Sequence, residues 1–164
     1  MTLRLVDLPL PVMLALRDGE MTTAERLIGL RVPPEFAAQT DIWKFMVTLL
    51  DGRPENATWT MHALVRDDEI VGNAGFKGAP DEHGEIELGY RVLTAHRRQG
   101  LALSAARLLV ERAKQEPAVT RVLATISPDN AASIGVITKA GFIPDGDRMH
   151  PRWGRQLRFL TTTT

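Results

Sequence analysis

A short polar turn between a strand pattern and a long helical pattern is the feature that most constrains how this chain can fold. The turn, residues 97–102 (RRQGLA), follows the extended and alternating segment Ile86–Leu93. After it, apolar residues recur at helical spacing from Leu101 onward. Gly100 lets backbone N–H groups approach a ligand without a side chain in the way. Because a helix start adds unpaired donors and a positive dipole end, this turn suits a phosphate group.

A second strand-to-helix unit follows downstream. Arg121–Ile126 is a strand pattern, and it leads into residues 127–130 (SPDN), where a proline and capping residues begin a helix that ends at Gly141-Phe142. The order strand, R-x-x-G-x-A, helix, strand, N-x-x-S…K-A-G-F resembles the GNAT superfamily of acetyltransferases. The chain is most similar to the RimJ/RimL-like branch, in which E-x-G-Y precedes the pyrophosphate loop. The resemblance is strongest over residues 59–142.

The resemblance implies one N-acetyltransferase domain over residues 1–164 with an α/β (α+β) architecture. In the GNAT fold a mixed, mostly antiparallel sheet of six to seven strands is flanked by helices. Two central parallel strands, which here end near Val92 and Ile126, splay apart to admit the pantetheine arm of coenzyme A.

Hydrophobic periodicity agrees with this layout. Apolar residues at i, i+3, i+4, i+7 and i+8 predict a helix over residues 42–50. Residues 59–65 alternate as a half-buried strand does, and residues 70–76 return as its partner after a polar turn. The sequence then predicts a polar loop over Pro144–Pro151 and a last strand over Gly154–Leu160.

Composition argues against several classes of protein. The 20 Lys and Arg residues balance 20 Asp and Glu residues, so the basic excess usual in nucleic-acid binders is missing. The sequence has no long apolar run and no start typical of a signal peptide, so we expect no membrane association and a cytoplasmic location. With no cysteine and four scattered histidines, we also expect no metal site.

The resemblance implies that acetyl-CoA is the cosubstrate. Backbone N–H groups of the turn would bond its pyrophosphate, and a backbone N–H near Val92 or Leu93 would polarise the thioester carbonyl. Asn130 matches an asparagine that contacts pantetheine in relatives. Solvated side chains explain the two arginines of the turn equally well. The residues expected to contact the coenzyme are Val92, Leu93, Arg97, Arg98, Gln99, Gly100, Leu101, Ala102, Leu103, Asn130 and Ser133.

Glu87 is the candidate for the group that removes the amine proton, directly or through a water. It matches the glutamate of the E-x-G-Y pattern and lies on the polar face of its strand with Glu85 and Arg91. The same pattern allows a plain Glu87–Arg91 ion pair, which would lower the carboxyl pKa and oppose a role as base. His83 and His150 are alternative bases.

The departing thiolate needs a different partner from the one common in the superfamily. Many members place a tyrosine four residues before the Gly-Phe pair, but that position is Ile137 here, and the single tyrosine, Tyr90, lies on a different strand. In RimJ/RimL-like enzymes a serine at the place of Ser133 is thought to meet the sulfur. We therefore expect Ser133 to hydrogen-bond the thiolate, while Asn130 and Ser133 also suit plain helix-capping roles.

These residues predict an N-acetyltransferase that moves the acetyl group of acetyl-CoA to a primary amine of a small molecule or a protein N-terminus. The chain has no cysteine nucleophile for a ping-pong route, so the amine would attack directly in a ternary complex. The alternative is a non-catalytic acyl-CoA binding or sensing module that has this fold but no usable base.

The acceptor amine would enter between residues 18–35 and the late loop, residues 144–154. Arg148, Arg152 and Arg155 in or beside that loop favour an acceptor that carries a carboxylate or phosphate. Solvated loop charges explain them equally well. A homodimer is compatible with the resemblance, but no apolar stripe identifies an interface.

Overall fold

The computed structural model of the protein describes residues 2–164, and a seven-stranded sheet forms its centre. The strands are β1 (Leu3–Val6), β2 (Met61–Arg66), β3 (Glu69–Phe76), β4 (Glu85–Val92), β5 (Arg121–Ile126), β6 (Ile143–His150) and β7 (Gly154–Thr162). Their order across the sheet is β1-β2-β3-β4-β5-β7-β6. β4 and β5 pair in parallel and the other neighbours pair antiparallel, which confirms the predicted GNAT fold.

Helices cover both faces of this sheet. They are α1 (Leu10–Arg17), α2 (Met21–Ile28), α3 (Pro34–Ala37), α4 (Thr40–Leu50), α5 (Leu101–Lys114) and α6 (Ala131–Lys139). Single 3-10 segments lie at Pro54–Trp59 and Thr94–His96. Within residues 2–164, none of the helices has the length and apolar character that crossing a membrane requires.

The central parallel pair is short. Its register joins Glu85 to Arg121, Ile86 to Val122 and Glu87 to Leu123. Beyond that point β4 stays paired with β3 as far as Val92, and β5 stays paired with β7 as far as Ile126. The two strands therefore separate toward their carboxyl ends and leave a gap in the sheet, as predicted.

The apolar core has two parts, one on each face of the sheet. Helix α5 and strands β4 and β5 share one part, in which Ala105 and Leu109 are buried with Ile86. Helices α1 and α4 share the other part with β2 and β3. β2 supplies both, because Leu64 belongs to the first part while its neighbours Ala63 and Val65 belong to the second.

The sequence prediction was wrong at Pro144–Pro151, which forms most of β6 rather than a polar loop. β6 is the edge strand of a hairpin with β7, and its register shifts between Pro144 and Asp147, where Gly146 has φ +74°. Most β6 side chains are exposed, so no alternation of apolar and polar residues marks it. An edge strand also tolerates a proline, since one side of it has no ladder to complete.

Trp43 is the largest side chain that the fold buries completely. Its Nε1 donates to the carbonyl oxygen of Phe36 at 3.1 Å, and the two rings lie 4.9 Å apart. This contact ties α4 to α3 and places Trp43 in the core beneath the helices.

Trp43→Ala should lower the free energy of unfolding by about 3–5 kcal/mol, because it opens a cavity and removes a buried hydrogen bond to Phe36 O. The measurement is urea denaturation of the purified protein. Trp153, which is 61% exposed, supplies the control. Trp153→Ala should change stability by under about 0.5 kcal/mol, and equal losses in both variants would contradict the assignment of Trp43 to the core.

Candidate active site

A cavity of about 860 Å³ occupies the gap between β4 and β5. Residues 88–91 of β4 and residues 124–126 of β5 line it from either side. On one face of the sheet it reaches Ser133 of α6, and on the other it reaches Glu87 and the start of α4. A ligand that lies in the gap would thus contact groups on both faces, in a volume typical of small-molecule sites.

Glu87 is the centre of a charged cluster on the α4 side of this cavity. Its Oε1 accepts hydrogen bonds from Lys77 Nζ at 2.8 Å and from Thr125 Oγ1 at 2.6 Å. Arg148 NH2 donates to both of its oxygens, at 3.2 and 3.0 Å. Burial alone raises the pKa of Glu87, but the two cations and these hydrogen bonds outweigh burial and lower it. Glu87 is therefore an ionised carboxylate.

The ion pair between Glu87 and Arg91, which the sequence allowed as an alternative, does not form. Arg91 NH2 instead lies 3.6 Å from Glu35 Oε1. Residues four apart on an extended strand share a face but stand about 13 Å apart along it, which is too far for a direct pair. The cations that do reach Glu87 come from outside its strand, on β6 and just after β3, and local spacing cannot reveal them.

Two hydroxyl groups meet on the opposite side of the cavity. Tyr90 Oη, from β4, lies 3.0 Å from Ser133 Oγ, from α6. Burial raises the pKa of the Tyr90 phenol, and its hydrogen bond to Ser133 offsets only part of that rise. The phenol is therefore protonated at neutral pH and can donate. Position 137 of α6 is not a tyrosine, yet the phenol of Tyr90 reaches the same helix from β4.

Sequence reasoning missed Tyr90 because it looked for a tyrosine at position 137 of the last helix and set Tyr90 aside as lying on a different strand. One signal was present: Tyr90 lies on the face of β4 opposite Glu87, at the end that was expected to splay. Asn130 has the capping role that the sequence allowed, since its Oδ1 accepts from Ser133 N at 3.1 Å. The cap occupies the oxygen, so Nδ2 remains a donor at the cavity wall.

The turn at residues 97–102 lies beyond the carboxyl end of β4, outside the lining of the cavity. Gly100 precedes α5 with φ +76°, and Arg98 also has a positive φ, of +61°. Ser104 N donates to Gly100 O at 3.2 Å and closes the first helical turn. The N–H groups of Leu101, Ala102 and Leu103 come before this first helical hydrogen bond and have no partner within the helix. They remain for a ligand such as a diphosphate.

The side chains of this turn have structural contacts. Arg97 Nε donates to Val92 O at 3.2 Å, and Gln99 Oε1 accepts from Arg66 NH1 at 2.8 Å. Leu101 is buried in the core. Phosphate binding here would consequently depend on the backbone more than on these side chains.

The two backbone N–H groups predicted to donate to the thioester carbonyl, those of Val92 and Leu93, differ in geometry. The N–H of Leu93 donates to Val71 O at 2.9 Å, so it is already engaged within the sheet. N–H groups of successive strand residues point to opposite sides. The N–H of Val92 therefore points away from β3 and toward the gap, which favours Val92 over Leu93 as a ligand donor.

A comparison with protein families identifies this arrangement. A family model described as acetyltransferase (GNAT) domain matches residues 5–143. The chain belongs to the GNAT acetyltransferase family. It is 43% identical over 82 residues to the uncharacterized N-acetyltransferase YjdG of Bacillus subtilis (strain 168), a match that spans about half of either protein (49% of each). It is 29% identical over 143 residues to the uncharacterized N-acetyltransferase p20 of Bacillus licheniformis, covering 81% of this chain and 80% of p20.

Solved structures share this GNAT fold at low sequence identity. Aminoglycoside acetyltransferase AAC(6')-Ib in complex with coenzyme A matches with a TM-score of 0.68 at 18% identity, over 98% of this chain and 95% of that one. The ribosomal-protein α-N-acetyltransferase RimL in complex with coenzyme A matches with a TM-score of 0.70 at 16% identity, over 99% and 94%. At these identities the likeness concerns the fold.

The lowered pKa of Glu87 predicts an acid-dependent contribution to stability. The ionised form stabilises the fold above about pH 4.3, the ordinary glutamate pKa, and this contribution is lost as the pH falls through the lowered pKa. Glu87→Gln should therefore cost about 1.5–3 kcal/mol near pH 7, and its stability should approach that of the unaltered protein in acid.

Urea denaturation from about pH 7 down to about pH 3 checks this expectation. Glu111 is a matched control, because it is an exposed glutamate on α5 that pairs with Lys114. Glu111→Gln should change stability by under about 0.5 kcal/mol across the range. A loss in Glu87→Gln that is the same at every pH would contradict the ionised cluster.

Proposed function

We propose that this GNAT protein is an N-acetyltransferase that transfers the acetyl group of acetyl-CoA to a primary amine of a small molecule or a protein N-terminus. The observation that carries the proposal is the cavity that passes through the gap between β4 and β5. Glu87 lies at one side of this passage, and the Tyr90–Ser133 hydroxyl pair lies at the other. Different groups on opposite faces of the sheet can thus contact the amine and the leaving thiol.

The residues present fit coenzyme A. The N–H groups before Ser104 suit a diphosphate, the N–H of Val92 faces the gap, and the Nδ2 of Asn130 is a donor at the cavity wall. Acetyl-CoA, when bound, supplies the acetyl group as a thioester. The chain binds and orients it and places a backbone donor where the carbonyl oxygen gains charge.

We assign Glu87 to the acceptor side as an ionised carboxylate. Because its pKa is lowered, it is a weak base, so we propose that it holds the amine or a water that takes the amine proton. The amine nitrogen bonds to the acetyl carbon as the carbon–sulfur bond breaks. Coenzyme A leaves as the thiol, and the net proton passes to solvent.

We assign Ser133 and Tyr90 to the thiolate side. When the phenol donates to Ser133 Oγ, the serine hydrogen is left to donate to the sulfur. Two hydroxyls in series polarise each other and make the outer one a better donor. This pair would take the place of the tyrosine that position 137 lacks.

Tyr90→Phe and Ser133→Ala should each lower kcat by about tenfold, with little change in acetyl-CoA affinity, because each removes a hydrogen bond to developing charge. The double variant should lose no more than Ser133→Ala alone, since the two groups act in series. Release of free thiol measures kcat. Thr138→Val is the control, because Thr138 is exposed on the same helix and bonds Ile134 O. Additive losses would contradict a serial pair.

Acetyl-CoA binding is the direct test of the proposed function, by calorimetric titration of the purified protein. Gly100→Glu should weaken binding by at least about tenfold, because it sets a negative charge at the phosphate-binding turn. Gly52→Glu is the matched control. Gly52 has a similar φ of +69° and equally open surroundings, but it lies in the turn after α4. No binding by the unaltered protein would overturn the proposal.

The lowered pKa of Glu87 also favours one other candidate, a GNAT module that binds acyl-CoA without turnover. A panel of primary amines at saturating acetyl-CoA separates the two. Thiol release with any amine supports the acetyltransferase. Tight acetyl-CoA binding without thiol release, across the whole panel, favours the binding module.

A further inference from the structure

The acceptor side of the cavity holds more cations than carboxylates. The charged side chains that line it are Lys77, Arg91, Arg148 and Arg152 against Asp41 and Glu87. The chain as a whole has a net charge of zero, so this excess is local to the cavity. A local excess of one sign selects ligands of the opposite sign.

Ion pairing does not remove this excess. Arg152 NH2 pairs with Asp41 Oδ2 at 3.2 Å, and Arg91 NH2 lies 3.6 Å from Glu35 Oε1, so these two cations are each matched by a carboxylate. Lys77 and Arg148, however, share the single carboxylate of Glu87. These two cations and one carboxylate therefore carry a net charge of +1.

The nearest other acids are already matched by arginines. Asp147 pairs with Arg155 at 2.6 Å. Asp145 shares Arg158 with Glu85, and Glu85 also pairs with Arg121, so these two acids face two arginines. None of these acids lines the cavity. The surplus charge beside Glu87 is therefore still available to a ligand.

Arg148 has donors to spare for such a ligand. Its contacts with Glu87 involve NH2, whereas a guanidinium has five N–H donors in a planar fork. Its side chain is 38% exposed, so the rest of the fork is open to the cavity and solvent. A carboxylate or phosphate is the group that such a fork binds best.

The mouth of the cavity adds aromatic surface to these cations. Phe45 and Trp153 line it and are 46% and 61% exposed, which is high for large apolar side chains. The guanidinium of Arg152 lies over the Trp153 ring, 4.5 Å from its centre. This stacking holds the Arg152 guanidinium, which also pairs with Asp41, at the entrance.

We infer that the acceptor is an amine that also carries an anionic group, a carboxylate or a phosphate, bound by Arg148 and Lys77 while the amine faces the gap. This inference rests on the proposed acetyl transfer. The anion supplies the negative charge that Glu87 alone does not. A polycationic amine would instead meet repulsion from the same side chains. Free amino acids, phosphorylated amines and peptides with an acidic first residue share this chemistry.

Matched amine pairs test the inference by initial rates of thiol release at saturating acetyl-CoA. The pairs are L-methionine with L-methioninamide, O-phosphoethanolamine with ethanolamine, and a glutamate-first with a lysine-first peptide, and spermidine is the polycation. In at least one pair the anionic member should have a kcat/KM higher by about 10–100-fold. The amide is the more easily deprotonated amine, so a preference for the acid must come from recognition.

Variants locate the effect in the cluster. Arg148→Gln and Lys77→Gln should raise KM for the preferred anionic amine by about tenfold more than they raise it for the uncharged counterpart. A purely structural defect would lower kcat/KM equally for both amines of a pair. Arg155→Gln is the control, because Arg155 lies on the same hairpin but pairs with Asp147 outside the cavity lining. Arg155→Gln should leave kcat/KM unchanged for both amines of the pair.

The outcomes separate this inference from the proposed function. Equal or higher kcat/KM for the uncharged and cationic amines overturns the inference and leaves acetyl transfer in place. A protein that binds acetyl-CoA but acetylates no amine overturns both. A preference for an anionic amine that Arg148→Gln abolishes supports both.

Discussion

The separation of β4 from β5 after Glu87 and Leu123 is the constraint on which the site depends. Each strand keeps its antiparallel neighbour, β3 or β7, so the outer edge of each strand remains fully paired. The facing edges lose their ladder and present N–H and C=O groups that must find other partners. A polar, extended ligand can form hydrogen bonds with these N–H and C=O groups. The gap thus combines an unpaired backbone with a passage through the sheet.

The electrostatics of Glu87 change what a carboxylate in this place can do. Burial raises the carboxyl pKa, which would make Glu87 a stronger base, but two cations and a threonine hydroxyl favour the anion and prevail. The structure therefore supports a carboxylate that binds and orients. The same two cations create the positive excess from which we infer an anionic acceptor. The low basicity of Glu87 and the acceptor charge that we infer thus have the same origin in one cluster.

Sequence reasoning recovered the parts of the fold that local patterns encode. The strand-to-helix turn at Gly100 and the helix that begins after Asn130 follow from capping and glycine preferences. It missed β6, because an exposed edge strand needs no apolar alternation. It could not find the partners of Glu87 either, and the Arg91 that it offered as an alternative is too far along the same strand for a direct contact.

The sequence by itself determined most elements and their order, the family and the strand-to-helix turn at Gly100, because each depends on residues within a few positions of one another. Only the tertiary structure decided which side chains share the cavity. Tyr90 and Ser133 are 43 residues apart in the chain, and Glu87 and Arg148 are 61 residues apart. Strand pairing and helix packing bring them within hydrogen-bond distance. No local preference specifies such contacts, because their geometry is set by the register of the whole sheet.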